Sequence, residues 1–185
     1  MSVYYRLKFT TPGDTTSARR ITLDLIHARP ERLTKKGKKL PTRFDTAFLN
    51  IGLGEETGVQ GMFYQFSMFS FSSISKGYRV GQVRIIFTLP DNVDGVPAEP
   101  LAYVEQFSKF ATPNNDHRMF KLNRSLEGGE RVVSVIPVST IRRSVHLFPK
   151  FGPVVPEGWS SDNVLERCSI FYLNPFTDRH MYFIL

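Results

Sequence analysis

The sequence is poor in residues that form disulfides or bind metals: it has one cysteine, Cys168, and 4 histidines among 185 residues. A single cysteine excludes a disulfide framework and argues against a cysteine-rich zinc site. No two histidines have the H-x-x-x-H or H-E-x-x-H spacing that puts two metal ligands on one helix face. We therefore expect no metal and no cofactor, because a metal site could form only from ligands far apart in the chain.

Long apolar runs are also missing. No stretch reaches the roughly 20 apolar residues that span a bilayer. The first residues, MSVYYRLKFTTPGD, lack the basic, apolar and small-residue succession of a signal peptide. These absences predict a soluble intracellular protein with no membrane partner.

No arrangement of nucleophile, base and acid specifies a reaction. Asp116 and His117 lie in a predicted polar loop, and Cys168 lies in an apolar run, where a thiol is more often structural than reactive. We therefore expect no enzyme activity. The alternative is a hydrolytic enzyme with dispersed His and Asp residues, which would need a pocket at His117, His146 or His180.

Aromatic and chain-breaking residues, in contrast, are abundant. The 16 Phe residues and a hydrophobic content of 41% can supply a core. The 12 Pro and 13 Gly residues, spread without a period, divide the chain into short segments. This combination predicts a mainly β (small α+β) fold, an antiparallel, partly open β-barrel with one or two short helices.

Hydrophobic periodicity places the strands. We predict strands over residues 3–9, 21–27, 43–51, 78–90, 101–110, 170–173 and 181–185. The second of these puts Ile21, Leu23 and Leu25 on one face, and the third is expected to be buried on both faces. The fourth and fifth are joined by about ten residues, which favours an antiparallel pair.

Turn and cap residues add local detail. The sequence Glu127-Gly-Gly-Glu130 predicts a hairpin turn, because glycine accepts the positive φ of a tight turn. Pro137 predicts the end or the edge of a strand. Ser139 is a predicted cap of one short turn, and Ser160, Ser161 or Asp162 is a predicted cap of a short helix.

Positive charge is concentrated in one segment. Residues 28–43 hold seven Arg and Lys residues against Glu31 alone, which gives this segment +6 of the net charge of +7. We divide the chain into N-terminal strands (1–27), a basic arm (28–43) and a β-barrel-like domain (44–185) with an insertion at 61–76. Pro30, Gly37 and Pro41 predict that the arm is irregular or mobile.

Two groups of cations are candidate nucleic-acid-binding residues. The arm contributes Lys35, Lys36, Lys38, Lys39 and Arg43, and a second group, expected on one rim, contributes Arg142, Arg143 and Lys150. Such donors hold a phosphate backbone without reading its sequence, so affinity falls with salt. The alternatives are a solvated loop without a partner and arginines that only cover the edge of a barrel.

Several spaced blocks carry a family resemblance: LPTRFDTAFLNIG, TGVQ, GYRVGQVRIIFTLP, PLAYVEQFSKF, FKLNRS, GERVVSVIPVSTIRRSVHLFPKFGPV and WSSDNVLERCSIFYLNPFTDRHMYF. From about residue 40 to residue 183 they resemble the C-terminal region of transposase-like proteins of basidiomycete DNA transposons of the Plavaka and Kyakuja-Dileera-Zisupton type. No block is a known catalytic motif, and the family's catalytic acidic residues belong to an upstream nuclease domain without a counterpart in this sequence. The resemblance implies a nuclear accessory domain, with a cytoplasmic location as the alternative.

The order of the strands is also similar to that of a bromo-adjacent-homology domain, a chromatin-reading β-barrel, as a fold-level analogy. The chain departs from the transposon pattern at residues 61–76, GMFYQFSMFSFSSISK, where the family runs straight from TGVQ into GYRVGQVR. We hypothesise that this segment is a retained intron translated in frame. Sequencing of the spliced transcript tests the hypothesis.

The leading functional hypothesis is a non-catalytic DNA- or chromatin-binding accessory domain derived from a fungal DNA transposon. Its expected partner is duplex DNA or chromatin. The alternatives are a protein–protein interaction module for a transposase core and a non-functional transposon remnant. Binding that depends on salt and on the arm lysines favours the first hypothesis.

Overall fold

The computed structural model describes residues 1–11, 22–51, 77–90, 99–111, 113–114, 117 and 119–174. Within these ranges the chain is mainly β, with one short α-helix and sheets that do not close, so the predicted fold class is confirmed. The insertion at 61–76 and the predicted strand over residues 181–185 lie outside the described residues.

The strands of the described ranges have 2 to 11 residues, and their pairings are antiparallel. In chain order they are β1 Ser2–Tyr4, β2 Arg6–Thr11, β3 Thr22–Arg29, β4 Arg32–Leu33, β5 Lys39–Leu40, β6 Arg43–Phe44, β7 Thr46–Asn50, β8 Tyr78–Thr88, β9 Leu101–Gln106, β10 Lys121–Asn123, β11 Leu126–Glu127, β12 Glu130–Arg131, β13 Val133–Pro137, β14 Ile141–Val145, β15 Leu147–Pro149 and β16 Ile170–Leu173. The helix, α1, spans Val164–Arg167, and Val138–Thr140 forms a 3-10 turn.

A six-stranded sheet forms the centre of the molecule. Its order is β13-β9-β8-β7-β14, and β1 also pairs with β8. The predicted antiparallel pair is confirmed as β8 and β9. The predicted strand over residues 3–9 is divided at Tyr5, because β1 joins this sheet and β2 pairs with β3 in another.

A core covers each face of this central sheet. The aromatic core lies between it and the three-stranded sheet β10-β16-β15, and consists of Phe48, Val80, Phe107, Phe110, Phe120, Leu122, Val145, Leu147, Cys168, Phe171 and Leu173. The aliphatic core lies under the three-stranded sheet β2-β3-β6, and consists of Ile26, Ala28, Ala47, Leu49, Val83, Ile86, Ala102, Val104, Ile136 and Ile141. Strand β7 contributes to both cores, which confirms the prediction that it is buried on both faces.

The apolar residues that the sequence pattern puts on one face of β3 are exposed to water. Leu23 is 57% exposed and Leu25 is 40% exposed, whereas Ile26 and Ala28 are buried in the aliphatic core. Side chains alternate between faces along a strand, and both stripes of β3 contain apolar residues. Periodicity therefore finds the strand without deciding which face is buried.

The basic arm contains a β-hairpin, so the prediction of an irregular arm is wrong for residues 32–40. Arg32 on β4 pairs with Leu40 on β5, and Leu33 pairs with Lys39. Gly37 has a φ of 74° in the connecting turn. A glycine that reads as a breaker in the sequence is the residue that lets the two strands meet.

The hairpin predicted at residues 127–130 is confirmed but short. Strands β11 and β12 pair over two residues each, and Gly128 and Gly129 have φ values of 60° and 89°. The strands before and after this hairpin belong to different sheets, since β10 pairs with β16 and β13 pairs with β9. Pro137 is the last residue of β13, at the edge of the central sheet, as predicted.

The predicted caps are wrong. Neither the 3-10 turn nor α1 has a side-chain cap hydrogen bond. The Thr140 hydroxyl donates to Pro137 O at 2.7 Å, and the Ser160 N–H donates to Asn163 Oδ1 at 2.9 Å. The side chain of Asn163, the residue before α1, thus accepts a hydrogen bond from the preceding turn and does not cap the helix.

Candidate nucleic-acid interface

The basic hairpin, residues 31–40, stands out from the body of the protein. Residues 30–39 are all exposed apart from Thr34, which is half-buried. Its two strands pair with each other and with no other described strand. It carries one carboxylate, Glu31, against five cations: Arg32, Lys35, Lys36, Lys38 and Lys39.

The turn of this hairpin is closed by hydrogen bonds centred on Thr34. The Thr34 N–H donates to Lys38 O at 2.8 Å, and the Gly37 N–H donates to Thr34 O at 2.9 Å. The Thr34 hydroxyl oxygen accepts from the Lys38 N–H at 3.0 Å. These bonds fix the backbone from which Lys35 and Lys36 extend into water.

Most of the hairpin lysines have no acidic partner among the described residues. Lys39 Nζ lies 3.0 Å from Glu31 Oε2, and both side chains are exposed. Lys35, Lys36 and Lys38 form no ion pair with any carboxylate in the described ranges. An exposed pair is worth only about 0–1 kcal/mol, so the hairpin keeps nearly all its positive charge available for a polyanion.

The hairpin continues into a basic face on the outer side of the β2-β3-β6 sheet. Arg29 on β3 lies opposite Arg43 on β6. Arg6 and Lys8 on β2 lie opposite residues 27 and 25, which are on the same side of β3 as Arg29. Paired residues, and residues two apart in a strand, share a face. Arg6, Lys8, Arg29 and Arg43 therefore form one basic face.

Sequence reasoning identified Arg43 and missed Arg6 and Lys8. These two residues alternate with Leu7 and Phe9, which pack against the aliphatic core. A cation at every second position of a predicted strand, with large apolar residues between, was the available signal. It could not show that this strand lies next to the arm, because β2 and β6 are brought together only by β3.

Asp45 anchors the junction between the basic face and the hairpin. Its Oδ1 accepts from Arg43 Nε–H at 3.0 Å, and its Oδ2 accepts from the His27 backbone N–H at 2.9 Å and lies 2.7 Å from His27 Nδ1. The Asp45 N–H in turn donates to His27 O at 2.8 Å. This carboxylate fixes the position of Arg43 while more than half of the Arg43 side chain stays exposed.

Asp24, the acidic residue of β3, points away from the basic face. Its Oδ2 accepts from the Ser144 N–H at 2.6 Å, and its Oδ1 accepts from the Ser144 hydroxyl at 2.6 Å. Ser144 lies on β14, in the central sheet. The negative charge is thus directed into the molecule, and the cations of the sheet are directed out of it.

The second predicted group does not extend this surface. Arg143 is 9% exposed, so the prediction that it reaches an exposed rim is wrong. It lies opposite Phe48, which belongs to the aromatic core on the far side of the central sheet from β3. Arg142 is half-buried at a register shift of β14, and Lys150 is exposed beyond β15. Arg143 and Lys150 therefore lie on the side of the central sheet away from the basic face.

A cluster of charges that sequence reasoning missed joins α1 to the central sheet. Glu105 Oε1 accepts from Arg84 Nε–H at 2.8 Å, and Glu105 Oε2 accepts from Arg131 Nη1–H at 2.6 Å. Glu166 of α1 accepts from the same two arginines, at 2.6 Å and 2.7 Å. The signal in the sequence was a charged residue near the middle of each of two mainly apolar strands, Arg84 in β8 and Glu105 in β9.

Arg124 is the buried member of this charged cluster. Its side chain is 6% exposed, its guanidinium carbon lies 4.4 Å from the centroid of the Phe107 ring, and Nη2 donates to Gln82 Oε1 at 2.6 Å and to Leu165 O. Burial, and then the charge of Arg131, lower the pKa of Arg124 to about 10. This cluster holds α1 in place and contains no nucleophile, so we interpret it as structural.

The dispersed histidines and the cysteine have structural surroundings. The His117 and Tyr172 rings pack in a T-shaped arrangement, and so do the His146 and Phe148 rings. Cys168 is buried and its thiol donates to Ile170 O at 2.9 Å, in agreement with the predicted burial. His180 and Asp116 lie outside the described residues.

The described ranges contain no group of three or more His, Cys, Asp or Glu side chains that could hold a metal ion. Among the helices of the same ranges, none is long and apolar enough to cross a membrane. Comparisons with protein-family models, with curated proteins and with solved structures found no match to this chain.

Proposed function

We propose that this chain is a non-catalytic accessory domain that binds duplex DNA, free or in chromatin, through the basic hairpin and the basic face. The observation that carries the proposal is the exposed turn with Lys35, Lys36 and Lys38, which have no described acidic partner. The derivation from a fungal DNA transposon and the nuclear location belong to the same proposal, and they rest on the resemblance of the sequence blocks.

The basic hairpin and the basic face would contact different parts of the duplex. A two-stranded ribbon has dimensions that the major groove admits, and lysines at its turn would lie between the two phosphate rows. Arg6, Lys8 and Arg43 would contact the phosphates beside it. Each phosphate neutralised releases counterions, so binding would weaken steeply with salt.

Fluorescence anisotropy of a labelled duplex, titrated at two salt concentrations, tests the proposal. The variant Lys35→Gln/Lys36→Gln/Lys38→Gln should bind more weakly and reduce the slope of log affinity against log salt by about 2 to 3. The matched pair is Lys36→Gln and Lys109→Gln, because each removes one charge from an exposed lysine and Lys109 lies outside the hairpin and the basic face. Equal losses in the two variants, or no salt dependence, would contradict the proposal.

A protein–protein module for a transposase core is the second candidate function. It is favoured by β13, an edge strand of the central sheet on which Val133 and Val135 are exposed. Such an edge can accept a strand of a partner. Gel filtration of the chain with a transposase core of the Plavaka type tests this alternative, with Val135→Lys as the variant that should abolish a complex.

A further inference from the structure

The small sheet on the far side of the molecule has an exposed face that the proposed function does not use. Tyr172 on β16 lies opposite Lys121 on β10 and opposite Phe148 on β15, so these three side chains form one row across the three strands. Phe148 is 40% exposed. The row is accessible from water at both ends, since Lys121 is exposed too, and Tyr172 between them is half-buried.

This row of side chains rests on a rigid base. The alternate residues of the same three strands, Leu122, Leu147, Phe171 and Leu173, are buried in the aromatic core. Packing of that kind fixes the backbone of the sheet and therefore the positions of the rings above it. The outward position of Tyr172 and Phe148 is thus set by the core beneath them.

Two histidine rings flank the row. The centroid of the His117 ring lies 4.7 Å from that of Tyr172, and the centroid of the His146 ring lies 5.2 Å from that of Phe148. Both contacts are edge-to-face, with interplanar angles of 76° and 87°. These contacts restrain the rotamers of Tyr172 and Phe148. Less side-chain entropy is therefore lost when a ligand stacks on the two rings.

Among the described residues, the charge around the rings has one sign. Lys121 stands at one end of the row, and Lys150 follows β15 at the other end, two residues beyond Phe148. No Asp or Glu occurs among the described residues of this face, whose remaining members are Asn123, His146 and Ile170. An anionic ligand with flat aromatic parts matches such a surface in both charge and shape.

We infer that the outer face of the β10-β16-β15 sheet, the stacking face, binds single-stranded nucleic acid. Its bases would stack on Tyr172 and Phe148, and its phosphates would contact Lys121 and Lys150. Exposed aromatic side chains beside cations are the standard means of holding unpaired bases, and each stacked base is worth about 1–3 kcal/mol. A duplex does not offer unstacked bases, so this site differs in ligand from the basic hairpin.

The test separates stacking from charge. The variant Lys35→Gln/Lys36→Gln/Lys38→Gln serves as the background, since it removes the main alternative site for phosphates. Two labelled single strands of equal length and charge are titrated against it: oligothymidine and an abasic strand. We expect oligothymidine to bind about tenfold or more tightly than the abasic strand, because two stacked bases are gained.

Point variants then locate the site. Phe148→Ala and Tyr172→Ala should each remove most of the preference for oligothymidine, and Phe151→Ala, an exposed aromatic residue outside the row, should leave it unchanged. Phe148→Tyr should retain the preference, which distinguishes a stacking role from a general loss of structure. Circular dichroism confirms that each variant is folded.

Equal affinity for oligothymidine and the abasic strand would overturn the inference, and so would a preference that survives both alanine variants. Neither result touches the proposed function, whose readout is the salt-dependent affinity for duplex DNA. Loss of duplex binding in the background variant, together with a retained preference for oligothymidine, would support both sites independently.

Discussion

Asp24 on β3 and Ser144 on β14, far apart in the sequence, are joined by two hydrogen bonds of 2.6 Å. One carboxylate thus receives both the backbone N–H and the hydroxyl of a single residue. The pair connects the outer β2-β3-β6 sheet to the central sheet at a point where neither sheet forms backbone hydrogen bonds to the other. It also removes the negative charge of β3 from the basic face.

We predict that Asp24→Ala lowers the free energy of unfolding by about 1–3 kcal/mol, because the Ser144 N–H then loses its charged acceptor. Ser144→Ala should cost about 1 kcal/mol, since it removes only the hydroxyl bond. Urea unfolding measures both values. Affinity for duplex DNA should be unchanged in folded Asp24→Ala, and a lower affinity would show that this residue shapes the basic face after all.

We predict that Gly81→Ala destabilises the protein by about 1–3 kcal/mol, because the centre of β8 has no room for a methyl group. A Cβ at residue 81 would overlap the Val104 side chain and lie 2.8 Å from Leu49 Cδ1. Gly152→Ala is the control, since a Cβ there would have no neighbour within 4 Å. A thermal melt of each variant, followed by the fluorescence of the single tryptophan, Trp159, provides the comparison.

We predict that Glu105→Gln destabilises the protein by about 3 kcal/mol. The substitution keeps the size of a side chain that is 11% exposed, but it leaves Arg84, Arg124 and Arg131 with Glu166 as their remaining carboxylate. Partly buried cations that lack a neutralising carboxylate lower the free energy of unfolding. Glu130→Gln, at an exposed position of β12, should change stability by no more than about 0.5 kcal/mol. Similar urea midpoints for the two variants would contradict this account.

The carboxylate of Glu166 should make stability depend on pH in the acid range. Burial alone would raise its pKa, but the hydrogen bond from Arg131 and the charge of Arg84 outweigh burial and hold the pKa below 4.5. A folded-state pKa below the unfolded value contributes stability at higher pH, and this contribution is lost as the pH falls through the folded-state pKa.

We therefore expect Glu166→Gln to flatten the decline in the free energy of unfolding between about pH 5 and about pH 3. Denaturant titrations of both proteins at the two pH values measure the difference. Glu157→Gln, which changes an exposed carboxylate, should retain the decline of the parent protein. An identical decline in Glu166→Gln would show that Glu166 does not contribute to it.

Strands β7, β8 and β9 of the central sheet could be predicted because their patterns are local, whereas β14 was not predicted, since residues 141 and 142 were expected in a short turn. The apolar run of β7 and the long alternating pattern of β8 each favour a strand, whichever segment of the chain pairs with it. The glycines at residues 128 and 129 predict their turn for the same reason. The predicted caps of α1 failed because the helix begins only at Val164, after Asn163, whose side chain accepts from the Ser160 N–H instead of capping the helix.

The residues of the candidate site, too, could be predicted only in part from the sequence. The lysines of the hairpin are evident from the sequence, because a run of cations is a local feature. Arg6 and Lys8 join them only when β3 pairs with β2 on one edge and with β6 on the other. Arg143 has the same local appearance as Arg142, and the register of β14 against Phe48 is what buries it.

The sequence by itself determined the mainly β fold, the central strand pair and the position of most positive charge, because periodicity, glycine turns and net charge are properties of contiguous residues. The tertiary structure decided which stripe of each strand is buried, which carboxylates neutralise which cations, and which rings of the small sheet stand in one row. Those outcomes depend on strand order and register. They are fixed by the packing of the two cores, whose members are brought together from distant parts of the chain.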